Sequence, residues 1–183
     1  THSGIDGMQD VLYFLVDTFF SLVFFVFLLR LLLQWARADF RNPLAQAILR
    51  LSNWLIMPLR RLLPPIGRID TASVVAVLLV AVAQVAALTL VRGFGLPDML
   101  DLLRLAALAI LRSALWVYFW AIFIYALLSM VAPGTYSPAN AILQSLCEPI
   151  LGPIRRTLPS IGGLDLSPLW ASIGIQVLLI LLR

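Results

Sequence analysis

The sequence has no lysine, one histidine (His2) and one cysteine (Cys147) among its 183 residues. A single cysteine excludes an internal disulfide bond. We interpret Thr1–Gly7 as an expression scar that precedes a natural start at Met8, and the rest of the chain then contains no histidine. This argues against Ser-His catalysis, histidine-ligated haem and an ordinary zinc site. We therefore expect a protein that is not an enzyme, with no catalytic residue, no metal site and no cofactor.

Charge is also scarce. Only 12% of the residues are charged and 62% are hydrophobic, with a mean hydropathy of +1.00. A water-soluble domain carries about 25% charged residues, so much of this surface must face lipid. Crossing a bilayer takes about 20 consecutive apolar residues. Four segments approach that length: Val11–Trp35, Thr71–Val91, Ser113–Ala132 and Ser167–Leu182.

One motif occurs twice in the chain, 95 residues apart. Residues 58–70 read PLRRLLPPIGRID and residues 153–165 read PIRRTLPSIGGLD, with eight identities in thirteen positions. Each copy lies between two predicted spans, so both units enter the membrane in the same orientation, as in the parallel class of repeat. We predict an all-α membrane protein of about four transmembrane helices in two tandem parallel repeats. Each repeat would be a span, an amphipathic interfacial helix and a span, in residues 8–92 and 113–183. We expect a connector helix in 93–112 that either lies in the interface or extends the third span.

The arginines predict the orientation. Eight lie between the predicted spans of the two units and four lie on the other side, and short cytoplasmic loops are enriched in positive charge. We therefore expect a multi-pass protein of the bacterial inner membrane with arginine-rich loops in the cytoplasm and termini in the periplasm. The chain has a net charge of +4, and basic residues next to transmembrane spans more often bind anionic lipid than nucleic acid. The first group is Arg37, Arg41, Arg50, Arg60, Arg61, Arg68, Arg155 and Arg156; the second is Arg92, Arg104, Arg112 and Arg183.

Each copy of the motif ends an amphipathic segment. Asn42 and Ser137 are good N-caps, and a proline follows each at the first helical position. Apolar residues recur at steps of three and four, which predicts an interfacial helix. We expect Pro58 and Pro153 to interrupt these helices. The stripes are Leu44, Ile48, Leu51, Leu55, Leu59 and Leu62 in the first copy, and Leu143, Leu146, Ile150, Ile154 and Leu158 in the second.

Two interpretations of the arginine pairs remain open. Arg60–Arg61 and Arg155–Arg156 either set topology and snorkel to lipid phosphate, or form a defined anionic site for a lipid head group or a partner's carboxylates. Asp70 and Asp165 either cap the helix that follows or form ion pairs with the arginines. We expect Gly67 and Gly162 to supply tight turns.

Four polar side chains lie inside the predicted spans: Asp17, Arg30, Gln84 and Gln176. Ionisable groups in a membrane are candidates for function. Asp17 and Arg30 lie near span ends, where they can reach water or snorkel. Gln84 and Gln176 either join helices by hydrogen bonds or line a polar pathway. At one end of the third span, Trp116, Tyr118 and Trp120 fit an aromatic belt.

The doubled P-x-R-R-x-x-P-x-x-G-x-x-D motif, with RLLLQWARADFRNPLAQ at residues 30–46, resembles the YggT family of bacterial membrane proteins. This resemblance to the YlmG-related group covers about Met8–Arg183. It implies integral membrane proteins without known enzymatic activity, linked to osmotic tolerance and potassium homeostasis, to envelope organisation and, in plastids, to assembly of a cytochrome complex. The function it implies is a scaffold or assembly factor, and the alternative is a component or regulator of ion or osmolyte transport. Expected partners are anionic lipids and other membrane proteins, with a homo-oligomer as an open alternative.

Overall fold

The computed structural model describes residues 2–66, 70–131, 134, 136–158 and 165–183, and within these ranges it contains six α-helices. The all-helical class predicted from the sequence is confirmed. Thr1 lies outside the described residues, and the rest of the segment interpreted as an expression scar begins the first helix. The helices are α1 (His2–Trp35), α2 (Pro43–Leu62), α3 (Thr71–Val91), α4 (Met99–Val131), α5 (Pro138–Thr157) and α6 (Ser167–Leu181).

Three of the described helices are long and apolar enough to cross a membrane: α1 from Gly7 onward, α3 and α4. Helix α6 is apolar but has only 15 residues, about 22 Å at 1.5 Å per residue, which is less than the hydrocarbon thickness of a typical bilayer. Helix α4 is continuous from Met99 to Val131. The helix expected in the connector is therefore an extension of the third span, which was one of its two predicted arrangements.

Two local predictions at the starts of α2 and α5 are confirmed. The side chain of Asn42 accepts a hydrogen bond from the backbone N–H of Leu44 at 2.9 Å, and the Ser137 hydroxyl accepts one from the N–H of Asn140 at 3.1 Å. The amide of Asn42 also donates to the carbonyl of Pro138 at 2.7 Å. Both helices have 20 residues, and α5 begins and ends 95 positions after α2.

The prediction that Pro58 and Pro153 interrupt these helices is wrong. Helix α2 continues through Pro58, and α5 continues through both Pro149 and Pro153. A proline removes one backbone donor, but the turns that follow keep their own hydrogen bonds. One residue past each helix end, Leu63 N–H still donates to the carbonyl of Leu59 at 2.8 Å, and the equivalent bond in α5 measures 2.9 Å.

The chain divides into two compact units. The first unit comprises Thr1–Leu31 and Ser52–Ile110, and the second comprises Leu32–Leu51 and Leu111–Arg183. Helices α1, α2 and α4 therefore contribute to both units. These boundaries follow packing and differ from the predicted repeats, which stay a prediction. In the first unit the buried face of α3 is built from small residues: Ala72, Ser73, Ala76 and Ala81, with Val77 and Val80.

Helix α2 separates its packed face from its leucine stripe. The packed face is Ala45, Ser52 and Ile56, each fully buried. On the predicted stripe, Leu51 and Leu62 are exposed. Three of the six stripe residues are half-buried, so only its exposed leucines are apolar surface that the described residues leave uncovered.

The predicted aromatic belt is wrong at one position. Trp116 and Trp120 are exposed on α4, but Tyr118 is only 5% exposed, and its ring meets that of Trp35 in the second unit with centroids 6.4 Å apart. At 100° per residue, position 118 lies about 200° around the helix from each tryptophan. Proximity in sequence therefore does not place Tyr118 on their face.

Candidate functional site

The last turn of α2 is joined to the start of α3 by an ion pair. Arg60 Nη2 lies 2.5 Å from Asp70 Oδ2, and the hydroxyl of Ser73 donates to the same oxygen at 2.7 Å. Asp70 occupies the N-cap position of α3, but its side chain makes no capping hydrogen bond. Of the two roles left open by the sequence, the carboxylate takes the ion pair and not the cap, while the backbone carbonyl of Asp70 accepts the first hydrogen bonds of α3, from Ser73 and Val74 N–H.

Arg30, near the end of α1, is the second arginine of this region. It is only 1% exposed, so the expectation that it snorkels towards the membrane surface is wrong. Its Nη1 donates to Ser52 Oγ and to Asn53 Oδ1, each at 2.8 Å. The charges of Arg60 and Asp70 also act on its guanidinium. We call Arg30, Ser52, Asn53, Arg60 and Asp70 the first-unit cluster.

Ser52 and Asn53 were not predicted as site residues. The available signal was a serine on the packed face of an amphipathic helix, where the other fully buried residues are apolar. That signal can be used only if the packed face of α2 is known. The sequence predicted the leucine stripe as the apolar face, and Ser52 is not part of that stripe.

The second unit carries its own arginine cluster at the end of α5. Arg155 Nε lies 2.7 Å from Asp165 Oδ2, and its Nη1 lies 3.2 Å from Glu148 Oε2. Its guanidinium stands 5.9 Å from the ring centroid of Tyr125. Glu148 was not predicted as a site residue, although it lies seven residues before Arg155 on the same helix. We call Tyr125, Cys147, Glu148, Arg155 and Asp165 the second-unit cluster.

Hydrogen bonds tune the ionisation of this second ion pair. Burial alone would raise the pKa of Asp165, but the hydroxyl and N–H of Ser167 and the Arg155 guanidinium together lower it below its usual value. Burial alone would lower the pKa of Arg155, but Asp165 and Tyr125 raise it. Both partners are therefore charged at neutral pH. Asp165 forms the predicted ion pair but is not the N-cap of α6, which is Leu166; its carboxylate accepts from the N–H of Ser167, the first residue of α6, at 2.9 Å.

The second arginine of each pair is free of such contacts. Arg61 and Arg156 are exposed and make no side-chain hydrogen bond or ion pair with any residue in the described ranges. Gly67 and Gly162, predicted as turns, lie outside the described residues, as does Arg68. The structure therefore brings Arg60 to Asp70 and Arg155 to Asp165, and leaves one arginine at each end exposed.

The polar side chains inside the spans behave differently from one another. Gln84 Nε2 donates to Asp17 Oδ1 at 3.1 Å and to Ser21 Oγ at 3.0 Å, which joins α3 to α1 within the first unit. Ser21 Oγ lies 3.4 Å from the same oxygen of Asp17. Gln176 is half-buried in α6 and has no hydrogen-bond partner in the part of the chain that the structure describes.

Cys147 offers no reactive thiol. It is buried in α5, and burial raises the pKa of its thiol to about 12, so it stays protonated at neutral pH. Among the described residues there is also no group of three or more histidine, cysteine, aspartate or glutamate side chains that could hold a metal ion.

Comparison with known proteins places the chain among bacterial relatives. The family model described as CCB3/YggT matches residues 9–91 and 105–183. An uncharacterised protein of Pseudomonas aeruginosa is 38% identical over 94% of this chain and 88% of its own length. A protein of Vibrio alginolyticus named for the proC 3′ region is 42% identical over 89% of this chain and 88% of its own. The Escherichia coli K12 protein named YggT is 36% identical over 88% of this chain and 83% of its own. No solved structure matches. The chain belongs to the CCB3/YggT family.

Proposed function

We propose that the protein is a non-enzymatic scaffold or assembly factor of the bacterial inner membrane, which organises other membrane proteins or anionic lipid. One observation carries the proposal: in the first unit, the polar side chains of the spans are used to join helices, while the span surfaces stay open. Gln84 binds Asp17, and Arg30 binds Ser52 and Asn53. Within the 18-residue apolar stretch of each candidate span, only 17% to 22% of the residues are buried. Most of the span surface is therefore available to lipid and to partner helices.

The proposed architecture has four spans in two parallel repeats, with α6 as the fourth. Three observations support the repeat. Helices α2 and α5 have the same bounds at an offset of 95, and an arginine–aspartate ion pair recurs at that offset. The family model also matches the chain in two stretches. Helix α6 would cross the membrane together with the residues that flank it.

The proposed orientation places α2 and α5 in the cytoplasmic interface and the termini in the periplasm. The arginine distribution supports the side, and the exposed leucines of α2, which lie on the same helix as exposed arginines, support the interfacial location. Single-cysteine labelling in a Cys147→Ser background tests it. Gln46→Cys should be protected from a membrane-impermeant reagent added outside the cell, and Asp98→Cys should react; labelling at Gln46→Cys would reverse the orientation.

The arginine pairs are the proposed contact with anionic lipid or with a partner's carboxylates. Topology requires only positive charge, whereas a guanidinium offers a planar fork that binds phosphate or carboxylate through two hydrogen bonds. The family resemblance suggests osmotic and envelope homeostasis as the process that this contact serves.

The test replaces Arg60, Arg61, Arg155 and Arg156 together by lysine. The matched control replaces four other arginines by lysine: Arg37, Arg41, Arg50 and Arg104. The measurements are membrane insertion, anionic lipid and membrane proteins that co-purify, and complementation of a deletion strain under osmotic stress. We expect the test variant to insert normally but to lose retained partners and complementation, while the control keeps both. Wild-type behaviour of the test variant in all three assays would overturn the proposal.

A further inference from the structure

We propose that the first-unit cluster is a binding site for a phosphate group and that the second-unit cluster, its counterpart in the sequence repeat, is not. The inference deepens the proposed function and rests on it, because it names which of the two arginine clusters contacts anionic lipid. It depends on a difference in charge between two clusters that share an offset of 95 residues. The corresponding pairs are Arg30 with Tyr125, Ser52 with Cys147, Asn53 with Glu148, Arg60 with Arg155, and Asp70 with Asp165.

The ion pair is common to both clusters, but the residues around it are not. In the first unit a second guanidinium, Arg30, lies beside the pair, and the position next to its serine partner is the neutral Asn53. In the second unit the position of Arg30 is held by a tyrosine, and the position of Asn53 is held by Glu148. The first cluster thus has two arginines against one carboxylate, and the second has one arginine against two carboxylates.

The net charge of each cluster decides which of them attracts an anion. Arg30 is buried at 1% exposure, so water screens its charge poorly, and it lies close enough to interact electrostatically with both Arg60 and Asp70. Glu148 has the opposite effect on Arg155, because it adds a second negative charge to the same guanidinium.

The number of unused hydrogen-bond donors also favours the first cluster as the anion site. Arg60 uses only Nη2 for Asp70, and its side chain is 43% exposed. A guanidinium has five N–H groups, so Arg60 keeps donors that no described residue engages. Arg155 uses both Nε and Nη1 for carboxylates and is less exposed, at 33%.

The position of the first cluster favours a phosphate on a lipid. Arg60 and the exposed Arg61 lie at the end of α2, where the apolar side chains of Met57 and Leu62 are also exposed. Phosphate presents oxygens that match the arginine fork, and the acyl chains of a phospholipid would cover these apolar side chains. Free phosphate has the same head-group chemistry without the chains, so competition can tell the two sources apart.

The test uses the purified full-length chain and native mass spectrometry with phosphatidylglycerol or phosphatidylcholine. Arg60→Gln and Arg155→Gln form a matched pair at the 95-residue offset. Asn53→Glu gives the first cluster the carboxylate that the second already has. Arg60→Lys keeps the positive charge but removes the planar guanidinium. It replaces Arg60→Gln in the comparison if Arg60→Gln does not fold. Thermal unfolding of each variant is measured alongside.

We expect Arg60→Gln to weaken phosphatidylglycerol binding about tenfold, because it removes a basic residue, which contributes about 1 kcal/mol near an anionic membrane surface, together with its fork of donors. We expect Asn53→Glu to weaken binding by about the same factor, because it adds a negative charge beside Arg30. Arg155→Gln should stay within about twofold of wild type. Competition by excess inorganic phosphate would identify a site for the free ion, and its absence would identify the lipid head group; both support a phosphate site.

Equal losses in Arg60→Gln and Arg155→Gln, or no loss in either, would overturn the inference. These results are separable from the proposed function. A scaffold that binds only protein partners would fail the lipid measurement and still lose complementation when its arginine pairs become lysine.

Discussion

The buried guanidinium of Arg30 is held by two hydrogen bonds, which its Nη1 donates to Ser52 and Asn53. A buried guanidinium without partners would be very costly, and removing it leaves polar partners unsatisfied in its place. We predict that Arg30→Leu lowers the free energy of unfolding by about 3 kcal/mol. Arg50→Leu is the control, because Arg50 is exposed on α2 and should change stability by less than about 0.5 kcal/mol. Thermal unfolding in detergent gives both values, and equal shifts would contradict the buried role of Arg30.

At the same scale, Asp165 predicts a pH dependence. Its folded pKa lies below the ordinary value, so its stabilising effect is present above about pH 4 and is lost as the pH falls through the folded pKa. The group is 43% exposed, so the ion pair with Arg155 should contribute at most about 1 kcal/mol. The difference in unfolding free energy between wild type and Asp165→Asn should therefore shrink between pH 7 and pH 3. If the difference in unfolding free energy between the two proteins does not change with pH, the Asp165–Arg155 ion pair does not stabilise the fold.

At the scale of the helices, local signals were sufficient for some features. Asn42 and Ser137 could be identified as caps because capping depends on residues within one turn. The buried state of Arg30 and Tyr118 could not be predicted, because it depends on residues far away in the chain: Ser52 for Arg30 and Trp35 for Tyr118. The ion pairs are intermediate. Their partners lie ten residues apart, and the sequence could name them but could not choose between pairing and capping.

The two intramembrane glutamines provide a test at the same scale. Gln84 joins α3 to α1 through Asp17 and Ser21, whereas Gln176 has no such partner among the described residues. Hydrogen bonds between helices in a membrane contribute about 0.6 kcal/mol on average and up to about 1.7. We predict that Gln84→Leu destabilises the protein by about 1 kcal/mol and that Gln176→Leu is neutral or slightly stabilising. Unfolding in mixed micelles measures both, and the reverse order would refute the role given to Gln84.

At the scale of the whole molecule, composition was enough to predict helices that could cross a membrane, and α1, α3 and α4 are long and apolar enough to do so. The number of spans was less certain, because the apolar run of α6 is only 15 residues long. The compact units could not have been predicted from the repeat. The boundary between the units divides α2 at Ser52. The periodicity of apolar residues along a helix does not indicate which unit each part of the helix packs into.

The central claim is that this protein organises its membrane neighbours and does not itself conduct ions. The most direct measurement is potassium flux into liposomes that contain the purified protein. The account predicts a flux equal to that of empty liposomes, because Asp17, Ser21 and Gln84 are engaged with one another within the first unit. Robust potassium flux that disappears in a Gln84→Leu/Gln176→Leu double variant would contradict the account and establish the transport alternative.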